Sequence, residues 1–503
     1  MKFNKILAVA VSGAVFLMAG QVALADSATD IVDALVSKGV LTEEEGKLIT
    51  KGHTSKTSVT PIVKEKDGGF TLESANGRNS ISLIGRMHLD YRFNDAYVDG
   101  QGTDRDTQSF SDQMELRRAR MGFKGLLAKD FKYEVVASLP GTASVDVAYL
   151  DWAKYDAFQI RTGKFKQPFG LEELTSSNNI ALMERSYVNQ TGPAKKLGIQ
   201  VMGSPKAGFT YALSTYQHND TEQSISDGDR ASGAARGTIN FAEIMGNKEM
   251  IMHVGLAGFD STYAVASSSS SQTDVAASAT NRATISAFRT SGRGLNNAFR
   301  GQVAGSSCTT ADFSCASEYR ATVSQQAYGL EGILASGPFK LVGEYSDGDY
   351  KGTQGANTVK YDTKTYYVEA GWFITGEKYA SSYKNGVFSS FKPINEFDLD
   401  KGNWGAVEAL FRFEGYDVDN VNMQGSTNNR VQGSLNGASA SGVEAGAKTY
   451  TGGVRWILNP NVVLKGNYAY TKFDNAFAPI DVNGATAAVK DEKLLMFRTQ
   501  YMF

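Results

Sequence analysis

The stretch Ile81 to Phe93 (ISLIGRMHLDYRF) constrains this chain more than any other. Every odd position in it is apolar or Gly, and every even position except Ile84 is polar. A period of two held over ~10 residues, with one greasy face, is the signature of a strand with hydrocarbon on one side and water on the other. Phe131, Tyr133, Val135, Ala137 and Leu139 repeat the pattern against Lys132, Glu134 and Ser138. No long stretch of helical period follows residue 69.

The connections between such segments alternate short and long. Short ones fall at 128–130, 205–207, 246–248, 336–337 and 459–460. Long ones fall near 94–112, 166–196, 217–234, 260–325, 348–362, 418–446 and 474–492. Short turns on one side and long loops on the other define an outer-membrane barrel. A soluble sandwich would also alternate, but loops of ~30–60 residues on one side only are foreign to it. The fold class is therefore all-β, a transmembrane antiparallel barrel. Strand centres fall near 87, 120, 135, 149, 161, 200, 212, 239, 254, 330, 342, 368, 410, 453, 467 and 498. That makes sixteen strands with both chain ends periplasmic. Residues 375–403 break the rule, because by parity they are a short turn, yet they are long. Either this turn carries extra structure or it hides a hairpin and the count is eighteen.

Composition closes other routes. Lys and Arg number 51 against 53 Asp and Glu, so nucleic-acid binding has no electrostatic footprint. Two cysteines exclude a disulfide scaffold or a multi-Cys metal site. A mean hydropathy of -0.28, with no apolar run of ~18 residues after the N-terminus, excludes a helical membrane protein.

The first residues set the compartment. A basic Met1–Lys5, an apolar Ile6–Ala19 and the small-x-small Ala23-Leu24-Ala25 read as a secretory signal peptide over 1–25, cleaved near Ala25. Residues 26–52 form a short periplasmic helical segment. In it Ile31, Leu35 and Val36 share helical spacing, Gly39 ends one helix, and Thr42–Glu45 has capping-box form. Residues 53–68 read as a linker, and 69–503 as the barrel.

A barrel of this size encloses water unless something folds into it. Lumen parity takes Arg86, His88, Asp90 and Arg92 on the first strand. On the second it takes Arg118, Arg120 and Lys124, opposite Ala119, Met121 and Phe123. Arg117 has the outward parity, and Arg161 has lumen parity on the fifth strand. Guanidinium groups along a narrow pore favour anions over cations, and suit carboxylate or phosphate. The alternative is that luminal Arg pairs with luminal Asp and Glu in the transverse field of a general porin. The loop 166–196 carries Leu171, Leu174, Ile180, Leu182 and Met183, which do not belong in water. It is expected to fold inward as the constriction.

The final strand puts Leu495, Phe497, Tyr501 and Phe503 on one parity. A terminal Phe there is typical of bacterial outer-membrane barrels, whose assembly machinery reads it. Trp152, Tyr366, Trp372, Trp404 and Trp456 fit interfacial girdles. Cys308 and Cys315 lie six residues apart in a long loop, where an oxidising compartment permits a local disulfide. The Ser run at 267–271 reads as flexible. The four His (His53, His88, His218 and His253) show no metal or hydrolase spacing. No enzyme activity, metal or cofactor is expected. A plugged receptor needs a larger N-terminal domain than this chain has before Gly69. A structural or adhesive barrel remains a further reading.

Four motifs add a resemblance. Leu116-Arg117-Arg118-Ala119-Arg120-Met121-Gly122-Phe123-Lys124-Gly125 resembles the second strand of the phosphate-selective porin O and P family. Gly163–Ser176 (GKFKQPFGLEELTS), followed by Met183-Glu184-Arg185, resembles that family's most distinctive stretch. Gly371–Glu377 and Gly453–Asn461 are similar to later motifs, and Gly39–Glu45 resembles a leader segment found in many members. The resemblance covers roughly 69–503. It implies a sixteen-strand outer-membrane barrel of a Gram-negative cell, usually a homotrimer, passing small inorganic anions by diffusion. By the same resemblance Arg86, Arg117, Arg118 and Arg185 fall on constriction arginines, and Asp146 on the constriction Asp. Two positions depart. Glu173 stands where the family carries Lys, and Arg120 where it carries an aromatic. A negative charge at a narrow point costs a phosphate several kcal/mol (about 4 at an effective dielectric of ~20). The reading is a passive porin, anion-preferring or weakly selective, in contact with outer-membrane lipid.

Overall fold

A computed structural model describes residues 32, 35–49, 60–66, 69–99, 112–218, 231–266, 282–295, 298–304, 320–426, 429–432, 444–477 and 488–503. Residues 1–25, read above as a signal peptide, His53, the Ser run at 267–271 and the Cys308/Cys315 pair lie outside these residues. The chain divides into two compact units, Met1–Leu83 with Lys124–Asp130, and Ile84–Phe123 with Phe131–Phe503.

In the first unit the capping box forms as its residues dictate. Glu45 N–H donates to Thr42 Oγ1 (3.2 Å), and Thr42 N–H donates back to Glu45 Oε2 (2.9 Å). Residues 62–66, assigned above to a linker, instead form a strand. Ile62–Lys66 pairs antiparallel with Gly69–Glu73, pinned by Lys64 to Glu73 at 2.9 Å. A five-residue run bounded by Pro61 and Gly68 is too short for periodicity to reveal it.

The second unit, together with residues 80–83 and 124–127, makes up a closed antiparallel barrel. Its sixteen strands are β1 (Ser80–Asp99), β2 (Gln113–Leu127), β3 (Phe131–Ser138), β4 (Ser144–Tyr155), β5 (Phe158–Lys166), β6 (Lys195–Gly203), β7 (Phe209–Gln217) and β8 (Ser232–Asn240). They continue as β9 (Met250–Ala266), β10 (Arg320–Ser336), β11 (Phe339–Gln354), β12 (Asn357–Phe373), β13 (Ala406–Gln424), β14 (Ala445–Asn459), β15 (Val462–Phe477) and β16 (Ala488–Met502). Every strand centre read from the sequence falls inside one of them. Chain neighbours pair, and β16 closes on β1 from Ala488↔Asp99 to Met502↔Arg86. At that seam Gly85 and Phe503 exchange both backbone hydrogen bonds (3.0 and 3.1 Å). The Phe503 ring lies where a Cβ on residue 85 would sit, 2.3 Å away.

The two faces follow the period. Met87, Phe93, Leu495 and Phe497 are exposed outward, while His88, Asp90, Arg92 and Arg498 are buried inward. Strands β3 to β8 are short, at 8 to 12 residues, and β9 to β16 run 15 to 19. The lumen beside the long wall is filled. The loop after β5 contributes Phe169, Leu171, Leu182, Met183 and Tyr187, all buried, as its apolar content required. A hairpin in the loop after β9, Arg282–Phe288 with Phe299–Ala304, pairs with Arg430–Gln432. Its Phe288 ring lies tilted against Tyr416 at 5.0 Å, and its Phe299 ring meets Tyr361 edge-on at 5.3 Å.

The long turn 374–405 hides no barrel hairpin, so the eighteen-strand alternative falls. It holds a short 3-10 helix, Tyr379–Ser382, and a two-residue hairpin, Tyr383–Lys384 with Val387–Phe388. Tyr379, Phe388 and Phe391 are buried with Phe373. Tyr379 donates to Glu408 (2.5 Å), and Arg236 donates to the Gly386 carbonyl (2.9 Å), which fixes the turn against inward-facing wall residues.

Candidate functional site

Two bulges put charge into the lumen where simple alternation does not. On β2 the exposed apolar residues are even at Met114 and Leu116, then odd at Met121 and Phe123. One extra residue between them turns Arg117 and Arg118 to the same side. Arg117 reaches Glu184 in the inward loop (2.9 and 3.2 Å), although its parity by counting was outward. Gly122 lies just beyond, where a Cβ would meet the Val135 carbonyl at 2.1 Å. Between β3 and β4 the register passes from Val136↔Val147 to Ala137↔Val145, leaving Asp146 as the extra residue. Its carboxylate meets Arg120 (3.0 Å) and Lys195 (2.5 Å).

Glu184 is the hub of the upper group. Arg117 (2.9 Å), Arg498 (2.7 Å), Arg92 (3.4 Å) and Arg118 (3.8 Å) converge on it. Asp90 holds Arg498 through two bonds (2.6 and 2.7 Å) and Arg92 at 2.5 Å, and Arg92 also pairs with Glu115. Burial alone raises the Glu184 carboxyl, but Arg118, Arg498 and Arg117 hold it well below the usual carboxylate range. Arg118 donates to His88 Nδ1 (3.4 Å), so the ring proton sits on Nε2 and reaches Asn178 Oδ1 (3.0 Å).

The loop's helical turn, Leu171–Leu174, organises the lower group. Arg185 donates to the carbonyls of Glu172 (2.7 Å), Glu173 (3.2 Å) and Thr175 (3.0 Å), and pairs with the Glu173 carboxylate (3.1 Å). Lys166 donates to the carbonyls of Glu173, Leu174 (3.2 Å) and Thr175 (3.0 Å). Cations at the carboxyl end of a helical turn satisfy its orphan carbonyls. Arg86 donates to the hydroxyls of Ser176 (3.3 Å) and Ser177 (3.2 Å). Among the described residues it has no carboxylate within ion-pair distance. Arg117, Arg120 and Arg185 keep 20 %, 17 % and 14 % of their side chains exposed, against 5 % for Arg118. The first three are partly exposed, whereas Arg118 is nearly buried.

The structure thus brings the sequence-chosen Arg117 and Arg118 to Glu184, Arg120 to Asp146 and Arg185 to Glu173, with Arg86 on Ser176 and Ser177 of the same loop. Lys166, Lys195 and Arg498 join them and escaped the sequence reading. Lys166 lies inside the distinctive motif, and Arg498 has lumen parity opposite Leu495 and Phe497, so parity applied to the last strand would have found it. Arg161 stands apart, held by Asp151 (2.7 and 2.8 Å) under the Tyr149 ring at 3.9 Å.

The long wall staples this loop residue by residue. Glu344 accepts the N–H groups of Leu171 (2.7 Å) and Glu172 (2.8 Å), and Arg412 pairs with Glu172 (2.8 Å). Gln500, Arg455, Lys465 and Arg412 donate to the carbonyls of Asn178, Asn179, Ile180 and Glu184 at 3.0, 3.1, 2.7 and 2.8 Å. Arg498 takes that of Met183, and Glu414 accepts from Tyr187 N–H (3.0 Å).

Among the described residues no group of three or more His, Cys, Asp or Glu could hold a metal ion, and no helix is long and apolar enough to cross a membrane. A family profile described as "Phosphate-selective porin O and P" matches residues 81–503. Porin O of Pseudomonas aeruginosa is 26% identical over 436 residues, 84% of this chain and 89% of that one. Among solved structures, OmpT of Vibrio cholerae aligns at TM-score 0.48 and 8% identity over 88% of this chain and all of the other. An anion-selective porin from Comamonas acidovorans aligns at TM-score 0.47 and 12% identity, over 84% and 100% of the two chains.

Proposed function

This chain belongs to the phosphate-selective porin O and P family of outer-membrane porins, and from that premise we propose that it passes small inorganic anions, phosphate among them, by passive diffusion. The observation that carries the reading is the excess of cations on the open side of the lumen. Arg86, Arg117, Arg120, Arg185, Lys166 and Lys195, with the nearly buried Arg118 behind them, outnumber Asp146, Glu173 and Glu184. A mobile anion gains from every unbalanced charge in a narrow passage of low effective dielectric. Arg86, bonded only to hydroxyls, is the strongest attractor. Arg117, Arg120 and Arg185 hand the anion along, and Asp146 and Glu173 hold the arginines extended and prevent a dead-end trap. Binding must be weak enough for release.

A weakly selective general porin is the second reading. The pairing of Arg185 with Glu173 and of Arg120 with Asp146 favours it, since each pair cancels a charge. Planar-bilayer conductance in asymmetric KCl, followed by added phosphate, separates the two. An anion-selective reversal potential with saturable phosphate block supports the first, and a near-zero reversal potential without block supports the second. No conductance at all would favour a structural barrel. The mature chain begins after signal cleavage near Ala25, carries the helical segment into the periplasm and assembles as a homotrimer. The barrel assembly machinery reads its terminal Phe503.

A further inference from the structure

Residues 176–179 of the inward loop read Ser-Ser-Asn-Asn. Ser and Asn side chains hydrogen-bond the backbone near them and so favour a tight turn. The N–H groups of Asn179 and Ile180 both donate to the Ser176 carbonyl (2.8 and 3.1 Å), and Asn178 N–H donates to Ser176 Oγ (3.4 Å). The side chains then take different partners. Ser176 and Ser177 accept from Arg86 (3.3 and 3.2 Å), and Asn178 Oδ1 accepts from His88 (3.0 Å). Asn179 Oδ1 accepts from Ser390 Oγ (3.4 Å), which belongs to the turn 374–405. The two inward elements therefore meet at the four residues that seat Arg86.

Arg455 on β14 holds this meeting point from the wall. It is 2 % exposed. Its Nη1 donates to the Asn179 carbonyl (3.1 Å), and its Nε pairs with Glu408 (2.5 Å). Its guanidinium carbon lies 4.8 Å from the centre of the Phe391 ring and 5.8 Å from that of Phe373. Glu408 in turn accepts from Tyr379 (2.5 Å). One planar group thus touches Phe391 of the turn 374–405, the carboxylate that anchors Tyr379 of the same turn, and the carbonyl of Asn179. A guanidinium makes such contacts in fixed directions, whereas an ammonium in its place is a point charge on a flexible stem. Arg86 is aimed by two hydroxyls of residues 176–177, so its position follows theirs.

We propose that Arg455 is a positioning residue for the anion path. It passes the seating of the turn 374–405 to residues 176–179, and through their hydroxyls it sets where Arg86 holds its charge. Coupling of this kind travels through packed rings and hydrogen bonds. The inference rests on the reading of Arg86 as an anion attractor.

The test is the anion-to-cation permeability ratio, read from reversal potentials in asymmetric KCl. The variants are Arg86→Ala, Arg455→Lys, Phe391→Ala, and each of the last two combined with Arg86→Ala. Arg455→Lys keeps the charge and loses the fork, and Phe391→Ala leaves every charge in place. Each is expected to lower the ratio about twofold on its own and to change nothing further once Arg86 is gone. A wild-type ratio in either single variant overturns the positioning role, and so does an equal loss with and without Arg86. If Arg86→Ala lowers the ratio while Arg455→Lys and Phe391→Ala do not, the positioning role alone fails. If Arg86→Ala itself keeps the wild-type ratio, the reading of Arg86 fails and the proposal with it. Gln500 still holds the Asn178 carbonyl (3.0 Å) in these variants, which keeps the loop inward. Should Arg455→Lys not assemble, the Phe391→Ala cycle gives the same readout.

Discussion

Arg86 and Glu173 are the two residues where a single charge decides most. Arg86 bonds the hydroxyls of Ser176 and Ser177 and, among the described residues, forms no ion pair. A unit charge about 5 Å from a passing anion contributes about 3 kcal/mol at an effective dielectric of ~20, and salt screens part of it. Arg86→Ala is therefore expected to lower the anion-to-cation permeability ratio several-fold, read from the reversal potential. An unchanged potential would remove Arg86 from the path. Glu173 cancels Arg185 at 3.1 Å. Glu173→Lys releases Arg185 and adds a cation, so phosphate should block chloride current at a concentration about tenfold lower. No shift in the half-blocking concentration would mean that anions pass elsewhere. Arg118, which counting placed in the lumen with Arg120 and Lys124, is nearly buried and holds Glu184 and His88.

The inward loop is an element held by charge. Glu184 replaced by Gln leaves Arg92, Arg117, Arg118 and Arg498 facing one another, a loss of about 3–5 kcal/mol for a broken buried network. The expected outcome is a looser loop, seen as larger and noisier single-channel current. A quiet channel of wild-type conductance would assign the loop's rigidity to its backbone staples alone. The pH dependence has a fixed sign. The folded Glu184 carboxyl sits below its unfolded value of about 4.3. Its contribution is therefore complete above that value and is lost only as pH falls through the depressed folded value. Conductance noise should stay flat from neutral pH to about 5 and rise only in stronger acid. The turn 374–405 is the other inward element. Replacing 380–402 with a short Gly/Ser linker opens the side it fills and should raise conductance about twofold. An unchanged conductance would mean that ions never use that side.

At the scale of the whole molecule, closure depends on the β16–β1 seam. The Phe503 ring occupies the space above Gly85, so Gly85→Val forces the terminal aromatic out of its seat. The expected result is a lower yield of the heat-modifiable folded band on unboiled gels, with Gly85→Ala intermediate. Full-yield assembly of Gly85→Val would show that the seam tolerates a displaced Phe503. The short β3–β8 wall and the long β9–β16 wall divide the labour. The long wall carries the loop, the hairpin 282–304 and the turn, and the short wall faces the cations.

The strands themselves were legible in the sequence, because a hydrocarbon exterior and a wet interior impose a period of two that counting recovers, from Ile81–Phe93 to Leu494–Tyr501. The inward course of the loop 166–196 was legible for a related reason, since Leu171, Leu182 and Met183 have nowhere else to be buried. What only the tertiary structure decided lay where the period breaks or where partners are distant in sequence. The bulges at Arg117–Arg118 and Asp146 reverse parity with one residue, and nothing local marks the extra residue. The union of Arg498 with Asp90, 408 positions apart, exists only because the barrel closes. The turn 374–405 was visible as an anomaly of length, but its inward course depends on Arg455, Glu408 and Arg236, which three different strands bring to it. Periodicity is a local property of solvent on two sides of a strand, whereas the balance of charge in the pore is a property of the closed wall.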